Sequence, residues 1–153
     1  MEKTKTLILF YSLSGNTKGL AHKTAKELGA DIEEVFEVKK SSAFNAYFLG
    51  IIRALKRAKP LIKPLKSQIN NYEKLIIMSP VWACKPAPAI NTLFSLLPAG
   101  KKVELIMVSG GGGTKISTNT TKAIIKKQGC EVVGYKDLRA KKENGNVIFE
   151  QLK

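Results

Sequence analysis

Apolar residues along this chain fall into short continuous runs that alternate with longer amphipathic stretches. Leu7 to Tyr11 is a run with no polar interruption, the pattern of a strand covered on both faces. Leu20, Ala21, Thr24, Ala25 and Leu28 follow at helical spacing, and Gly29 is placed to end that helix. Asp31 to Val38 predicts a second strand, whose acidic residues point to an edge or half-exposed position. Phe44, Tyr47, Phe48, Ile51, Ile52 and Leu55 make a clean helical stripe, with Ser41 and Ser42 available as caps. Pro60 and Pro64 then force an extended segment.

Leu75 to Met78 predicts a third strand and Ile90, Leu93, Phe94 and Leu97 a helix. Val103 to Val108 predicts a fourth strand, about 117–127 a weaker helix, and Glu131 to Tyr135 the start of a fifth strand. Asn144-Gly145 is a tight-turn signal, so Val147 to Phe149 is expected to return as a short antiparallel strand. Strands alternating with helices predict an α/β fold with a parallel sheet covered on both faces, a three-layer sandwich. Five units in 153 residues fit a single domain over 1–153 with strand order 2-1-3-4-5. In that order a ligand sits beyond the C-terminal ends of strands 1 and 3.

The loops leaving strands 1, 3 and 4 all carry special chemistry. After Tyr11 come Ser12, Ser14, Gly15, Asn16 and Thr17, then a helix N-terminus. Free backbone amides, the helix dipole and hydroxyl donors together suit a phosphate. An ordinary capped helix, with Ser14 or Asn16 as N-cap, is the competing reading. Neither the nucleoside-triphosphate loop motif nor the dinucleotide glycine motif is present. The second loop, Ser79 to Pro88, contains Pro80, Val81, Trp82, Ala83 and Cys84, with Trp82 the only tryptophan. Among three prolines it reads as a stiff surface loop offering an aromatic face, against the alternative of a core tryptophan. The third runs through Ser109, Gly110, Gly111, Gly112 and Gly113, where bare backbone suits close approach of a ligand and a flexible turn is the alternative.

Together these three segments resemble the short-chain flavodoxin family, over roughly residues 5–135. The resemblance implies a flavodoxin-like fold and FMN as cofactor. It implies Ser12, Ser14, Gly15, Asn16 and Thr17 around the phosphate, Pro80, Val81, Trp82, Ala83 and Cys84 along the ring, and Ser109, Gly110, Gly111 and Gly112 at the ring's polar edge. The 44–55 helix matches the family's insertion between strands 2 and 3. The chain departs from the family in two ways. A polar, basic stretch and a short hairpin stand where a last helix usually covers the sheet, so a homodimer or the 44–55 helix is expected to cover that face. The net charge is +14, where flavodoxin carriers are acidic.

That charge bears on function. Loops 12–17, 79–88 and 109–115 contain no Asp or Glu, while Lys18, Lys85 and Lys115 lie in or beside them. A charge a few ångströms from a partly exposed site is worth on the order of 1–4 kcal/mol before screening. Fully reduced FMN is anionic at its ring, so this setting favours two-electron chemistry more than an acidic one does. The function expected is an FMN-binding redox protein transferring electrons through the flavin. The alternatives are an FMN-dependent NAD(P)H or quinone reductase, and a flavodoxin-fold binding module without flavin. Partners follow as a redox protein, acidic by charge complementarity, or a small acceptor such as a quinone. Charge alone also raises nucleic acid and anionic membrane, but aromatics are not interleaved with the lysines and the apolar stripe packs more naturally on the sheet. No catalytic side-chain constellation or metal spacing is present; Cys84 is read as a small loop residue with an ordinary thiol and no redox role of its own, Cys130 as core, and His22 is given no role. With only a short apolar run near the N-terminus and two widely spaced cysteines, the chain is expected to be cytoplasmic with free thiols.

Overall fold

The computed structural model describes residues 4–39, 49 and 51–153. All its strands but one short one run in a single sheet around β1 (Thr6–Phe10), whose side chains are almost entirely buried. Ile8 lies between Ile32 of β2 (Asp31–Glu34) and Ile76 of β3 (Lys74–Trp82), both parallel to it. β3 pairs in parallel with β5 (Lys102–Ser109), and β5 with β6 (Glu131–Glu143). Counting the five parallel strands in sequence gives the expected order 2-1-3-4-5. A two-residue strand, β4 (Lys85–Pro86), folds back on the end of β3. β7 (Asn146–Gln151) closes the far edge antiparallel to β6.

Helix α1 (Asn16–Leu28) covers one face, packing Ala21 and Ala25 over Ile8, Phe10, Ile76 and Met78. Its small side chains let the helix lie close to the sheet, and Gly29 at φ 61° ends it. Helices α2 (Pro88–Ser95) and α3 (Thr118–Lys127) cover the other face, burying Ile90, Leu93, Phe94 and Ile125 against Leu7, Leu9, Ile77 and Leu105. The three-layer α/β sandwich follows directly from these two cores.

β2 is an edge strand, as its carboxylates led one to expect, and it stops at Glu34 rather than Val38. Beyond β1's last residue there is no backbone left to pair with: Val35 N–H bonds to Phe10 O, and Glu37 forms only an isolated bridge to Ile62. The acidic residues tie down the returning chain. Glu33 accepts from Lys66 N–H and Ser67 N–H at 2.6 and 2.8 Å, and Asp31 accepts from the Tyr72 hydroxyl at 2.7 Å.

Much of the 44–55 stripe, including Phe44, Tyr47 and Phe48, lies outside the described residues, as do Ser41 and Ser42. Within 51–55 the helix does not supply the cover expected of it for the sheet face; its Ala54 packs on Trp82 and Ala87. The C-terminal hairpin does part of that work. β6 runs far past Tyr135, and Leu138, Ala140 and Phe149 join the α1-side core beside Ile106 and Val108. Lower on that face Glu104 sits between Lys74 and Lys136, at 2.7 and 3.1 Å. Burial alone would raise its carboxyl, but the two ammonium groups outweigh this and hold its pKa below the ordinary value. Among the described residues, no helix is long and apolar enough to cross a membrane.

Candidate functional site

Strands β1, β3 and β5 are adjacent and parallel, so the three loops singled out in the sequence leave the sheet side by side. Contacts between them fix the arrangement. The Tyr11 and Trp82 rings meet edge to face, 5.9 Å apart at 85°, joining the first loop to the second. The Ser117 hydroxyl donates to the Cys84 carbonyl, joining the second to the third.

In the first loop the Gly15 and Lys18 amides donate to Ser12 Oγ at 3.1 and 3.3 Å. Neither Ser14 nor Asn16 caps α1. Gly15 takes the N-cap position at φ 93°, a left-handed conformation that favours glycine, and no side chain caps the helix. Lys18 N–H is taken up by Ser12 Oγ, while the Asn16 and Thr17 amides remain available at the positive end of the helix dipole. Ser14 and Gly15 are exposed, Asn16 is half-buried and Thr17 is buried under the turn.

The second segment is built differently from the stiff surface loop expected. Pro80, Val81 and Trp82 continue β3; Ala83 and Cys84, both left-handed at φ 49° and 60°, form a two-residue turn; and β4 returns. Ser79 Oγ accepts from Ala87 N–H at 2.9 Å and fixes the base of the turn. Trp82 is accordingly only 8% exposed, enclosed by Ala54, Ala87 and Tyr11. The tryptophan is part of the wall that supports the site, not a ring standing free on its surface.

The third segment divides into two parts. At Gly110, Gly111 and Gly112 an added Cβ would meet nothing within 4 Å, and none of the three has positive φ. Neither conformation nor packing requires glycine there. At Gly113 the Cβ would come within 2.9 Å of Asp137 Cγ and 3.1 Å of Leu152 Cδ1, so a side chain there would have to displace the Asp137 carboxylate that anchors the loop. Asp137 anchors the loop end by accepting from Thr114 N–H at 3.1 Å and from Thr114 Oγ1 at 2.7 Å, and Tyr135 OH also meets Thr114 Oγ1. Ser109 is buried, its hydroxyl directed to Gly111 O at 3.4 Å.

Residues beyond the expected set complete the site. Tyr11, half-buried at the end of β1, has its phenol pushed up to about 12, first by burial and then by Glu37, with Arg53 opposing. Arg57, left-handed at φ 48°, donates from Nη2 to Thr121 Oγ1 at 3.2 Å, while its Nη1 is enclosed with no partner among the described residues. Tyr11 could have been found from its position directly before Ser12. Thr114, Ser117 and Asp137 carry no sequence signal, because their roles depend on the fold bringing β6 beside the third loop and the third loop beside the second. Among the described residues, no group of three or more His, Cys, Asp or Glu could hold a metal.

No protein-family model and no curated protein matches the chain. Solved structures do. The crystal structure of a flavoprotein in complex with FMN from Lactobacillus acidophilus NCFM superposes with a TM-score of 0.74 at 27% identity, over 88% of this chain and 93% of that one. The apo-form flavoprotein from the same organism, determined by NMR, gives 0.68 at 27% identity, over 86% and 91%. Oxidised flavodoxin 1 from Bacillus cereus shares the fold at a TM-score of 0.54 and 18% identity, over 92% and 88%. In fold and strand order, this chain is a flavodoxin-like protein.

Proposed function

We propose that this chain binds FMN across the three loops and works as a redox protein through that flavin. The observation that carries the reading is the triplet Gly110 to Gly112, three glycines for which the fold itself has no need. A flat ring lying against bare backbone supplies the need. The residues present fit the group. Ser12, Ser14, Gly15, Asn16 and Thr17 would surround the phosphate at an uncapped helix start. Pro80, Val81, Trp82, Ala83 and Cys84 would border the ring, with Trp82 held in place by Tyr11 and Ala54. Ser109, Gly110, Gly111 and Gly112 would present backbone to its polar edge. The similar L. acidophilus flavoprotein, crystallised with FMN, supports the assignment.

Bound FMN supplies one- and two-electron chemistry that no side chain here provides. The chain's own residues hold the phosphate, orient the ring and screen one side of it from water. A second reading, an FMN-dependent NAD(P)H or quinone reductase, is favoured by the absence of carboxylates from these loops. The test is a visible spectrum of the purified protein titrated with FMN, expected to show bound, perturbed flavin. Free flavin alone at saturating FMN overturns the proposal. NAD(P)H oxidation with a quinone acceptor then separates a reductase from a carrier, which needs a partner to reduce it.

A further inference from the structure

Basic residues crowd the segments that border this site. Segments 12–18, 51–59, 79–88 and 109–118 contain Lys18, Arg53, Lys56, Arg57, Lys59, Lys85 and Lys115 and no Asp or Glu. Lys18 pairs with Glu34 and Arg53 with Glu37. Lys56, Lys59, Lys85 and Lys115 have no acidic partner among the described residues. Three of them lie on segments that touch: Lys85 Nζ donates to Leu55 O, next to Lys56, at 2.8 Å, and the Ser117–Cys84 bond sets the 115–117 turn beside Lys85. Within this basic surface stand Ile116, 84% exposed, and Leu55, 55% exposed. Lone exposed aliphatic residues are ordinary. Two of them, on segments linked through Lys85, Cys84 and Ser117 and flanked by lysines without acidic partners among the described residues, combine apolar and charged groups as a transient protein interface does.

We infer that the Leu55–Lys85–Ile116 patch is the docking surface for an acidic electron-transfer protein, one that sets a small apolar contact within a ring of carboxylates. The inference rests on the flavin reading only for the nature of the partner; the surface itself exists without flavin. A small anion gains nothing from bare Ile116 and Leu55, and a membrane surface is held by a longer apolar face than two residues. An acidic protein uses both features: the lysines steer it and the aliphatic pair fixes it.

The test uses isotope-labelled protein without FMN, titrated with an acidic [2Fe–2S] ferredoxin as probe, at low and at physiological salt. Amide signals of Leu55, Lys56, Lys85, Lys115 and Ile116 are expected to shift or broaden, and affinity to fall as salt rises. Lys85→Glu with Lys115→Glu should weaken binding about tenfold or more, and Ile116→Asp should weaken it too. Lys23→Glu with Lys26→Glu, the same charge change on the exposed face of α1, should leave affinity within about twofold. Equal loss in both double variants would reduce the effect to bulk charge and overturn the proposal. Perturbations elsewhere would overturn it, as would patch perturbation by anionic lipid vesicles but not by the ferredoxin. If the separate FMN titration shows no binding while the ferredoxin still docks at this patch, the redox reading falls and the surface stands.

Discussion

Substituting Gly111 separates what the fold needs from what the ligand needs. Its backbone is not left-handed and an added methyl meets nothing within 4 Å. Gly111→Ala therefore removes conformational freedom mainly from the unfolded chain, and should stabilise the flavin-free protein by about 0.4–1 kcal/mol. For a chain of this length that is a rise in melting temperature of roughly 1–4 °C. The same methyl would occupy the space where the proposed ring meets the backbone. Forcing an extra carbon into a fitted contact costs about 1–3 kcal/mol, so FMN affinity should fall about 5- to 150-fold. Gly113→Ala is the control. Its Cβ would stand 2.9 Å from Asp137 Cγ, so it should destabilise the flavin-free protein by about 1–3 kcal/mol. Thermal melts without flavin and fluorescence titrations with FMN measure both quantities. A Gly111→Ala protein that is more stable yet binds FMN as tightly as the parent refutes the placement of the ring against this backbone. A less stable one refutes the claim that the fold does not need the glycine.

Three further outcomes follow from named contacts. Glu104→Gln leaves Lys74 and Lys136 facing an uncharged amide and should cost about 1 kcal/mol at neutral pH. Because this carboxyl's folded pKa is depressed, its contribution is present above the unfolded value and lost as pH falls through the folded one, so urea midpoints of parent and variant should converge in acid. Tyr11 has a raised pKa, so the stability tied to its neutral phenol is complete below pH 10 and lost as pH rises towards about 12. Tyr11→Phe should flatten the alkaline fall in stability, and a parallel fall in both proteins would place the titration elsewhere. Asp137→Ala removes the acceptor for Thr114 N–H and Oγ1, and should cost about 1–3 kcal/mol and speed amide exchange at residues 110–114. Unchanged exchange there would show that the loop is held by something else.

How far the sequence is legible depends on whether a signal is local. The first loop could be read because strand, glycine and helix start are consecutive, and Gly15 at φ 93° is the conformational hinge between them. The final turn could be read because Asn144 and Gly145 both adopt the left-handed conformation that a two-residue hairpin demands. The prolines around Trp82 misled for a physical reason. They read as loop markers, yet Pro80 continues β3 opposite Val108 and Pro86 pairs with Val81 in the short return strand. That return stroke encloses the tryptophan, and nothing within the segment announces the Ala54 that completes its cover. The length of β6 was hidden because its outer half alternates charged residues with modest apolar ones: Lys136, Leu138, Arg139, Ala140 and Lys141. Such a pattern becomes strand only when β5 and β7 provide backbone on either side.

The hairpin both covers the sheet and braces the third loop. One side of the hairpin places Leu138, Ala140 and Phe149 on the α1-side core. The same strands turn Asp137 and Leu152 towards Gly113, holding the end of the loop on which the proposed ring would rest. Here the covering element and the loop anchor share one short stretch of backbone, with Leu152 N–H bonded to Asp137 O to lock the two strands in register. Anything that loosens the hairpin should therefore loosen the third loop with it. The basic terminal segment is for that reason part of the site's construction and not a tail appended to a finished domain.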